Sequence, residues 1–462
     1  MDQAARSSEL SNEELSDPPA STPPASTPAP GGAAAAGAFD EFLRRPLPRW
    51  ALVRQRLGRA EVVDVAATVV DALAPMAPLI APGGRVCLAV GSRGIDRIDE
   101  VVRAAVQWLR RAGADVFIVP AMGSHGGATA AGQLHVLASL GVTQESAGCE
   151  IRSGMEVVEL GEVRPGVPVF IDRHAFQEAD AIIPINRVKP HTDFSGEIES
   201  GLMKMIAIGL GKQHGADTLH RQGFAAFHDL IPDTAEFSVA RAKIPFGLAL
   251  VENGFARLSR IEAVRAGELR RRERDLLSIA REQMPRLPFD VIDVLVLDYI
   301  GKDVSGLGMD SNVVGRYYAG PTGAGPAIQR IVVRDLTDAT EGNAVGIGLA
   351  DVVLERAVRK MDAAKTYMNS VTAKTPEGAR VALTVPDDRT ALAIALACCV
   401  GIESPDARIV RARDTKHLEM MWVSDPAVAA ALATGRCEVV RPAGPIEFDG
   451  QGMLAGDWDP IR

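Results

Sequence analysis

The chain is poor in cysteine and in aromatic residues, and it has no long apolar run. Its five cysteines are an odd number without a Cys-x-x-Cys pair, which argues against a disulfide framework and against a zinc ribbon. Without a run of about 18 apolar residues, no membrane-spanning helix is predicted. The N-terminus lacks the basic segment and apolar core of a secretory signal. These absences predict a cytoplasmic protein in a reducing compartment.

A surplus of basic residues is also missing. The 50 Lys and Arg side chains are outnumbered by 59 Asp and Glu side chains, which gives a formal net charge of -9. Binding to nucleic acid depends on clustered cations that neutralise phosphates, so no nucleic-acid partner is expected. A basic run at 270–274 alternates with Glu268, Glu273 and Asp275, and this alternation is typical of a solvated helix face.

Composition divides the chain into a tail and two domains. Residues 1–38 are low-complexity sequence that buries too little apolar surface to offset the entropy of ordering, so we expect a disordered tail. A charged stretch at 257–283, predicted to be a connecting helix, ends before Pro285 and Pro288. We place the boundary there. The expected fold is two α/β domains, 39–285 and 286–462, with an active-site cleft between them.

Strand and helix patterns alternate in the first of these domains. Apolar strands at 85–90 and 115–120 flank an amphipathic helix at 98–111, which makes a βαβ unit, and another strand is predicted at 181–185. Ligands of such sheets bind beyond the carboxyl ends of the strands, where this chain has polar loops. In the second domain the α/β pattern begins at 291 and includes a helix predicted at 349–363.

Two of the eight histidines lie in these loops. His125 follows the strand at 115–120 in Gly-Ser-His-Gly-Gly, and His191 follows the strand at 181–185 in Lys-Pro-His-Thr-Asp. Imidazole titrates near neutrality, so each histidine can take or give a proton at working pH. Racemisation needs two such groups, because one carbon is approached from both faces. Either histidine alone is equally well explained as a loop residue bonded to backbone.

A lysine in apolar surroundings marks the next segment. Lys204 is flanked by Met203, Met205 and Ile206, where desolvation lowers the pKa of an amine, and a neutral amine can become a covalent anchor. The alternative is a lysine whose ammonium group reaches back to solvent. Glycines at 209, 211 and 215 resemble a dinucleotide loop, but the acidic partner of such a loop is missing, so NAD binding is not predicted.

This segment resembles the nickel-dependent lactate racemase family, in which a nickel-pincer nucleotide is attached to a lysine. The resemblance covers about residues 60–320. Lys204 and His220 have the spacing of the family's anchoring lysine and metal-ligating histidine, and Gly209 falls in step. His125 and His191 are similar to the family's two acid/base histidines, and a Phe-Ser-Gly follows the second of them here as in the family.

The resemblance implies a racemase or epimerase of 2-hydroxy acids that works by reversible hydride transfer to the nickel-pincer nucleotide. It also implies the enzymes that synthesise this nucleotide as partners. In this assignment Lys204 anchors the nucleotide, while Ser195, Gly196 and Gly209 contact it. His220 binds the nickel.

Substrate contacts follow the resemblance less closely. Arg93, in Gly-Ser-Arg-Gly, is similar to the arginine that holds the substrate carboxylate, a task that suits the planar fork of a guanidinium. The family's Tyr, Gln and Lys of the second domain have no legible counterpart, and Arg316 is our candidate to replace the lysine. A second departure is an insertion before Lys204 that includes Glu197 and Glu199.

Two other interpretations stay open. His125, His191 and His220 together could bind a simple metal for hydrolytic or lyase chemistry, which leaves Lys204 unexplained. The chain could also be a non-catalytic carboxylate-binding protein that keeps Arg93 and the glycines. Isotope exchange at the 2-position of hydroxy acids separates a racemase from a pure binder.

Overall fold

The structure is a computed structural model that describes residues 39–92, 94–318, 325–456 and 458. In these ranges the chain forms two lobes, each built on one mixed sheet covered by helices. This arrangement confirms the predicted α/β class. The predicted tail at 1–38 lies outside the described residues. None of the helices in these ranges combines the length and apolarity needed to cross a membrane.

The six-stranded lobe is centred on the predicted βαβ unit. Its strands, in spatial order, are Glu150–Ile151, Asp115–Pro120, Arg85–Val90, Ala181–Arg187, Phe246–Glu252 and Leu258–Arg265. The first five run parallel, and the last pairs antiparallel with its neighbour. A separate ribbon pairs Val157–Arg164 with Val167–Asp172. The helices are Val65–Leu73, Ile98–Arg111, Ala130–Ser139, Gln144–Ala147, Arg173–Glu178, Leu202–Lys204, Lys212–His220, Phe227–Val239 and Leu269–Gln283.

Helices cover both faces of this sheet, which explains its continuous apolar strands. In the strand Arg85–Val90, Cys87 and Ala89 face one buried cluster, while Val86, Leu88 and Val90 face the other. Because neither face meets water, the carboxyl edge is where polar side chains can gather.

The eight-stranded lobe holds both ends of the described chain. Its strands, in spatial order, are Leu383–Val385, Val352–Leu354, Ala327–Leu336, Val291–Ile300, Ile409–Ala412, Met420–Ser424, Trp50–Gln55 and Cys437–Gly444. Its helices are Asp40–Leu43, Ser311–Val314, Glu355–Lys360, Ala363–Thr372, Asp388–Ala397 and Asp425–Ala433. The strand Trp50–Gln55, which the predicted domain 39–285 includes, pairs within this second sheet. The chain therefore crosses between the lobes twice.

Two predicted helices begin with a strand instead. The stretch predicted as a helix from 257 contains the strand Leu258–Arg265, and its helix begins only at Leu269. The helix predicted at 349–363 is preceded by the strand Val352–Leu354 and then runs over Glu355–Lys360. In both places pairing with an apolar neighbouring strand outweighs the local helical pattern.

A fully buried lysine ties three elements together beneath the carboxyl edge. The Nζ of Lys212 donates to the carbonyl oxygen of Pro120 at 2.5 Å and to Gln133 Oε1 at 3.1 Å, and it lies 3.0 Å from Asp172 Oδ2. Gln133 in turn donates to two carbonyl groups of the loop 123–125. The backbone of Lys212 is left-handed, with φ 52°, which is strained for a side chain of this size. The lysine thus fixes the loop after Pro120.

We expect Lys212→Met to lower the free energy of unfolding by about 3–5 kcal/mol, because it leaves the buried carboxylate of Asp172 without its cation. Urea unfolding of the full chain measures the effect. Lys365→Met is the matched control: its ion pair with Glu341 is half exposed, and such pairs contribute at most about 1 kcal/mol. Equal urea midpoints for the two variants would contradict the assignment.

Candidate active site

A cavity separates the carboxyl edge of the six-stranded sheet from the other lobe. Three strands of that sheet send loops into its wall, because parallel strands all end at the same edge. The opposite wall is the loop after the strand Val291–Ile300. Polar and reactive side chains of the wall include Ser92, His125, Asn186, Arg187, Lys189, His191, Thr192, Ser200, Lys204, Lys302, Asp303 and Ser305.

His125 is held by the loop of a neighbouring strand. Its Nδ1 contacts the Oγ of Ser92, which follows the strand Arg85–Val90. Its backbone amide donates to Met122, and its carbonyl accepts from Gln133 at 3.4 Å. Side chain and backbone are therefore both restrained, and the position of the ring follows from the two adjacent parallel strands.

His191 and Lys204 meet directly in the cavity. The Nζ of Lys204 contacts Nε2 of His191, and the amide of Asp193 donates to Nδ1 of the same ring at 3.0 Å. Since Nδ1 accepts a hydrogen bond, a neutral His191 carries its proton on Nε2. The amine of Lys204 therefore lies at the ring nitrogen that faces the cavity. In its uncharged form, such an amine can react as a nucleophile.

The predicted insertion before Lys204 shapes the loop of His191. Glu199, only 2% exposed, accepts the amide hydrogen of His191 at 2.6 Å with one oxygen. Its other oxygen accepts from Ser195 Oγ at 3.2 Å, from the Gly196 amide at 3.1 Å and from Arg281 at 2.5 Å. Ser195 and Gly196, which were predicted to contact a cofactor, donate hydrogen bonds to this carboxylate instead. Neither residue lines the cavity.

Two contacts between the lobes involve the loop that carries His191. The side-chain amide of Asn312 donates to the carbonyl oxygen of His191 at 2.9 Å. Lys189, two residues earlier, pairs with Asp310 Oδ2 at 2.7 Å. Both partners belong to the start of the helix Ser311–Val314 in the eight-stranded lobe. The position of His191 therefore depends on both lobes.

His220 ends the helix Lys212–His220, and its Nδ1 donates to the carbonyl oxygen of Ala216 at 2.5 Å. The rings of Phe224 and Phe227 lie 5.8 and 5.2 Å away, centroid to centroid. Removal from water lowers the pKa of His220 to about 4, against the opposing effect of the Ala216 carbonyl. The imidazole is thus neutral near pH 7, and its lone pair is on Nε2. His220 is not one of the cavity-lining residues.

Gly209 lines the cavity at the end of a single π-helical turn, Met205–Gly209, that follows Lys204. A Cβ on this glycine would lie 2.6 Å from the carbonyl oxygen of Ala121. The glycine therefore lets the turn pack against the end of a strand. Such π turns occur often at functional sites.

Of the two arginines predicted to bind the substrate, only Arg316 is among the described residues. Arg93 lies outside the described residues, and its role stays a prediction. Arg316 donates to the carbonyl oxygen of Leu349 at 2.9 Å and pairs with Asp351 at 2.6 Å. It does not line the cavity. The geometry gives no support to Arg316 as a partner of a carboxylate there.

Sequence reasoning missed the contribution of the eight-stranded lobe. Lys302 lines the cavity, and its Nζ donates to the carbonyl oxygen of Gly306 at 2.6 Å. Asp303 and Ser305 belong to the same loop. The signal was present in the sequence, because a polar loop directly follows the apolar strand predicted from 291. The rule that located His125 applies equally to this second sheet.

In the part of the chain that the structure describes, no three His, Cys, Asp or Glu side chains form a metal-binding group. His125, His191 and His220 instead have separate neighbours in Ser92, Lys204 and the Ala216 carbonyl. The three-histidine metal site of the hydrolase interpretation is therefore not formed by these residues.

Comparison with known proteins gives a match for most of the six-stranded lobe. None of the curated proteins compared matches the chain. The solved lactate racemase apoprotein of Thermoanaerobacterium thermosaccharolyticum is similar at 15% identity and a TM-score of 0.49, over 82% of this chain and 95% of that chain. Residues 55–228, which include His125, His191, Lys204 and His220, match the family model of the lactate racemase N-terminal domain. The predicted resemblance to the lactate racemase family is confirmed over residues 55–228, the part of the chain that matches this N-terminal domain.

Proposed function

We propose that the protein is a racemase or epimerase of 2-hydroxy acids that uses a nickel-pincer nucleotide anchored on Lys204. One observation carries the proposal: the amine of Lys204 contacts His191 in a cavity that His125 also lines. A covalent anchor and two acid/base groups are thus available to one small substrate. The match of residues 55–228 to the lactate racemase N-terminal domain supports the reaction type.

The residues present fit this cofactor. An uncharged Lys204 amine can form an amide bond, and a neutral imidazole with its lone pair on Nε2 suits His220 to nickel. When bound, the nucleotide would supply reversible acceptance of a hydride from the 2-carbon of the substrate. Enzymes that synthesise the nucleotide would be the protein's partners, in the cytoplasm.

His125 and His191 move the hydroxyl proton. On one face of the substrate, one imidazole removes this proton as the 2-carbon becomes planar and keeps it; on the other face, the second imidazole, which starts protonated, gives its own proton to the oxygen when the hydride returns to the carbon. His191 holds its own proton at Nε2, on the side where Lys204 lies. Lys302 is the cation of the eight-stranded lobe that we expect to orient the substrate carboxylate, together with Arg93.

We expect His125→Ala and His191→Ala each to lower the rate at which the enantiomers of lactate and of longer 2-hydroxy acids interconvert by about 100-fold or more, because general acid–base groups contribute on this scale. The full chain is produced together with the cofactor-making enzymes, and interconversion is followed by chiral chromatography. His135→Ala is the control, since His135 is largely exposed and pairs with Glu341. Undiminished interconversion in His125→Ala or His191→Ala would contradict the assigned roles.

A second prediction concerns the anchor. In the same co-production, intact mass should show an increment that peptide mapping places on Lys204, and Lys204→Ala should lose it because the amide nitrogen is gone. Lys374→Ala, which removes a half-exposed amine near Asp217, should keep the increment. A Lys204→Ala protein that still carries the group covalently would refute the anchor.

The buried His220 predicts a specific dependence of stability on pH. Its pKa is about 4 in the folded chain and about 6.5 in an unfolded one, so the unfolded state binds more protons between these values. Stability is therefore full above pH 6.5 and falls as the pH drops towards 4. The loss should exceed that of His220→Gln by about 3 kcal/mol. Urea unfolding at several pH values tests this, and parallel pH curves for the two proteins would contradict it.

A further inference from the structure

Glu273 is a buried carboxylate on the inner face of a helix whose outer face is basic. In Leu269–Gln283 the buried positions are Leu269, Glu273, Leu276, Leu277 and Ala280, which follow the helical repeat. The arginines at 270, 271, 272 and 274 pair with acidic side chains at the surface. Glu273 is 1% exposed, and its Oε1 has no hydrogen-bond partner among the described residues. An acid in this position costs stability, so its presence calls for a function.

The carboxylate caps the short helix that carries Lys204. Its Oε2 accepts the amide hydrogen of Met203 at 3.0 Å, and the amide of Leu202 also bonds to it. These are first-turn donors, which have no acceptor inside their own helix. The residue before them, Gly201, has no side chain to offer as a cap. Glu273 therefore provides the cap from a different helix.

Gly201 makes this contact possible. Its backbone is extended, with φ 173°, so its conformation does not itself require glycine. A Cβ at this position would instead overlap the carboxylate of Glu273. The position of the Glu273 carboxylate therefore requires a glycine at 201.

The capped turn leads directly to the reactive amine. Lys204 is the third residue of the helix, and the π turn Met205–Gly209 follows without a break. The direction in which the Lys204 side chain leaves the backbone is set by where this helix begins. We propose that Glu273 is a positioning residue that fixes the first turn so that the Lys204 amine enters the cavity against His191. Its consequence for cofactor attachment rests on the proposed function; the placement of the amine does not.

The pKa of Glu273 is consistent with a role in positioning the helix, which does not require the carboxyl group to be charged. Burial raises this pKa to about 7, against the opposing hydrogen bonds from Met203 and Leu202. Either protonation state keeps an oxygen that can accept from these amides. The capping contact therefore does not require the charge, and an amide side chain should reproduce it.

The test measures the amine itself, on the full chain without any cofactor. Lysines are methylated with formaldehyde and a borane reductant, and the rate at Lys204 is compared with the rate at Lys302 in the same cavity by peptide mass mapping. We expect Glu273→Leu to lower the relative rate at Lys204 about fivefold or more, the equivalent of one lost hydrogen bond. Glu273→Gln should restore the relative rate to within about twofold, because its amide oxygen replaces Oε2.

Two further variants keep the test decisive. Gly201→Ala should lower the rate at Lys204 as Glu273→Leu does, because the new Cβ displaces the carboxylate, and it serves if Glu273→Leu fails to fold. Glu282→Leu, at an exposed position of the same helix, should change nothing. An unchanged relative rate in Glu273→Leu or Gly201→Ala, or an equal loss in Glu273→Gln, would overturn the proposal. Absence of cofactor on Lys204 would refute only the proposed function.

Discussion

The parallel pairing of Arg85–Val90 with the strands on both of its sides determines where chemistry can occur in this protein. Strands that run in the same direction end at the same edge, and the polar groups of their loops meet there. Ser92 reaches His125 across that edge, and His191 follows the third strand. In the described ranges, apolar clusters cover both faces of this sheet, and these polar side chains converge at its carboxyl edge.

Buried charges hold these loops in place. Lys212 lies under the His125 loop, Glu199 gathers the donors of the His191 loop, and Glu273 caps the helix of Lys204. All three are 2% exposed or less. Each satisfies backbone or loop groups that would otherwise be left without partners; Lys212 and Glu273 do so from a distant part of the chain, and Glu199 is fixed by the distant Arg281. The reactive groups His125, His191 and Lys204 are in this way separated from the charges that orient them.

The sequence allowed the first sheet and its histidine loops to be predicted, because a βαβ unit is a local pattern. The apolar runs at 85–90 and 115–120 and the helix between them have the predicted bounds. The features that could not be predicted depend on residues far apart in the sequence. Trp50–Gln55 joins a sheet whose other strands begin at residue 291, and a pairing over that distance leaves no periodic signal. The contacts of Arg316 are non-local as well, since its partners Leu349 and Asp351 lie more than 30 residues farther along the chain. Glu273 was wrongly assigned to the solvated face because its neighbours are arginines, although the buried positions of this helix recur every three or four residues and include Glu273.

Glu199 restrains the loop between His191 and Lys204. A loop of this length would ordinarily have the freedom to separate the two side chains. Here the carboxylate of Glu199 binds the amide of His191 and is itself fixed by Arg281, from the helix that also carries Glu273. The loop thus forms a turn around a buried carboxylate. Because Arg281 and Glu273 stand two helical turns apart on one rigid element, the His191 loop and the Lys204 helix are aligned by the same support, and the contact between imidazole and amine is preserved.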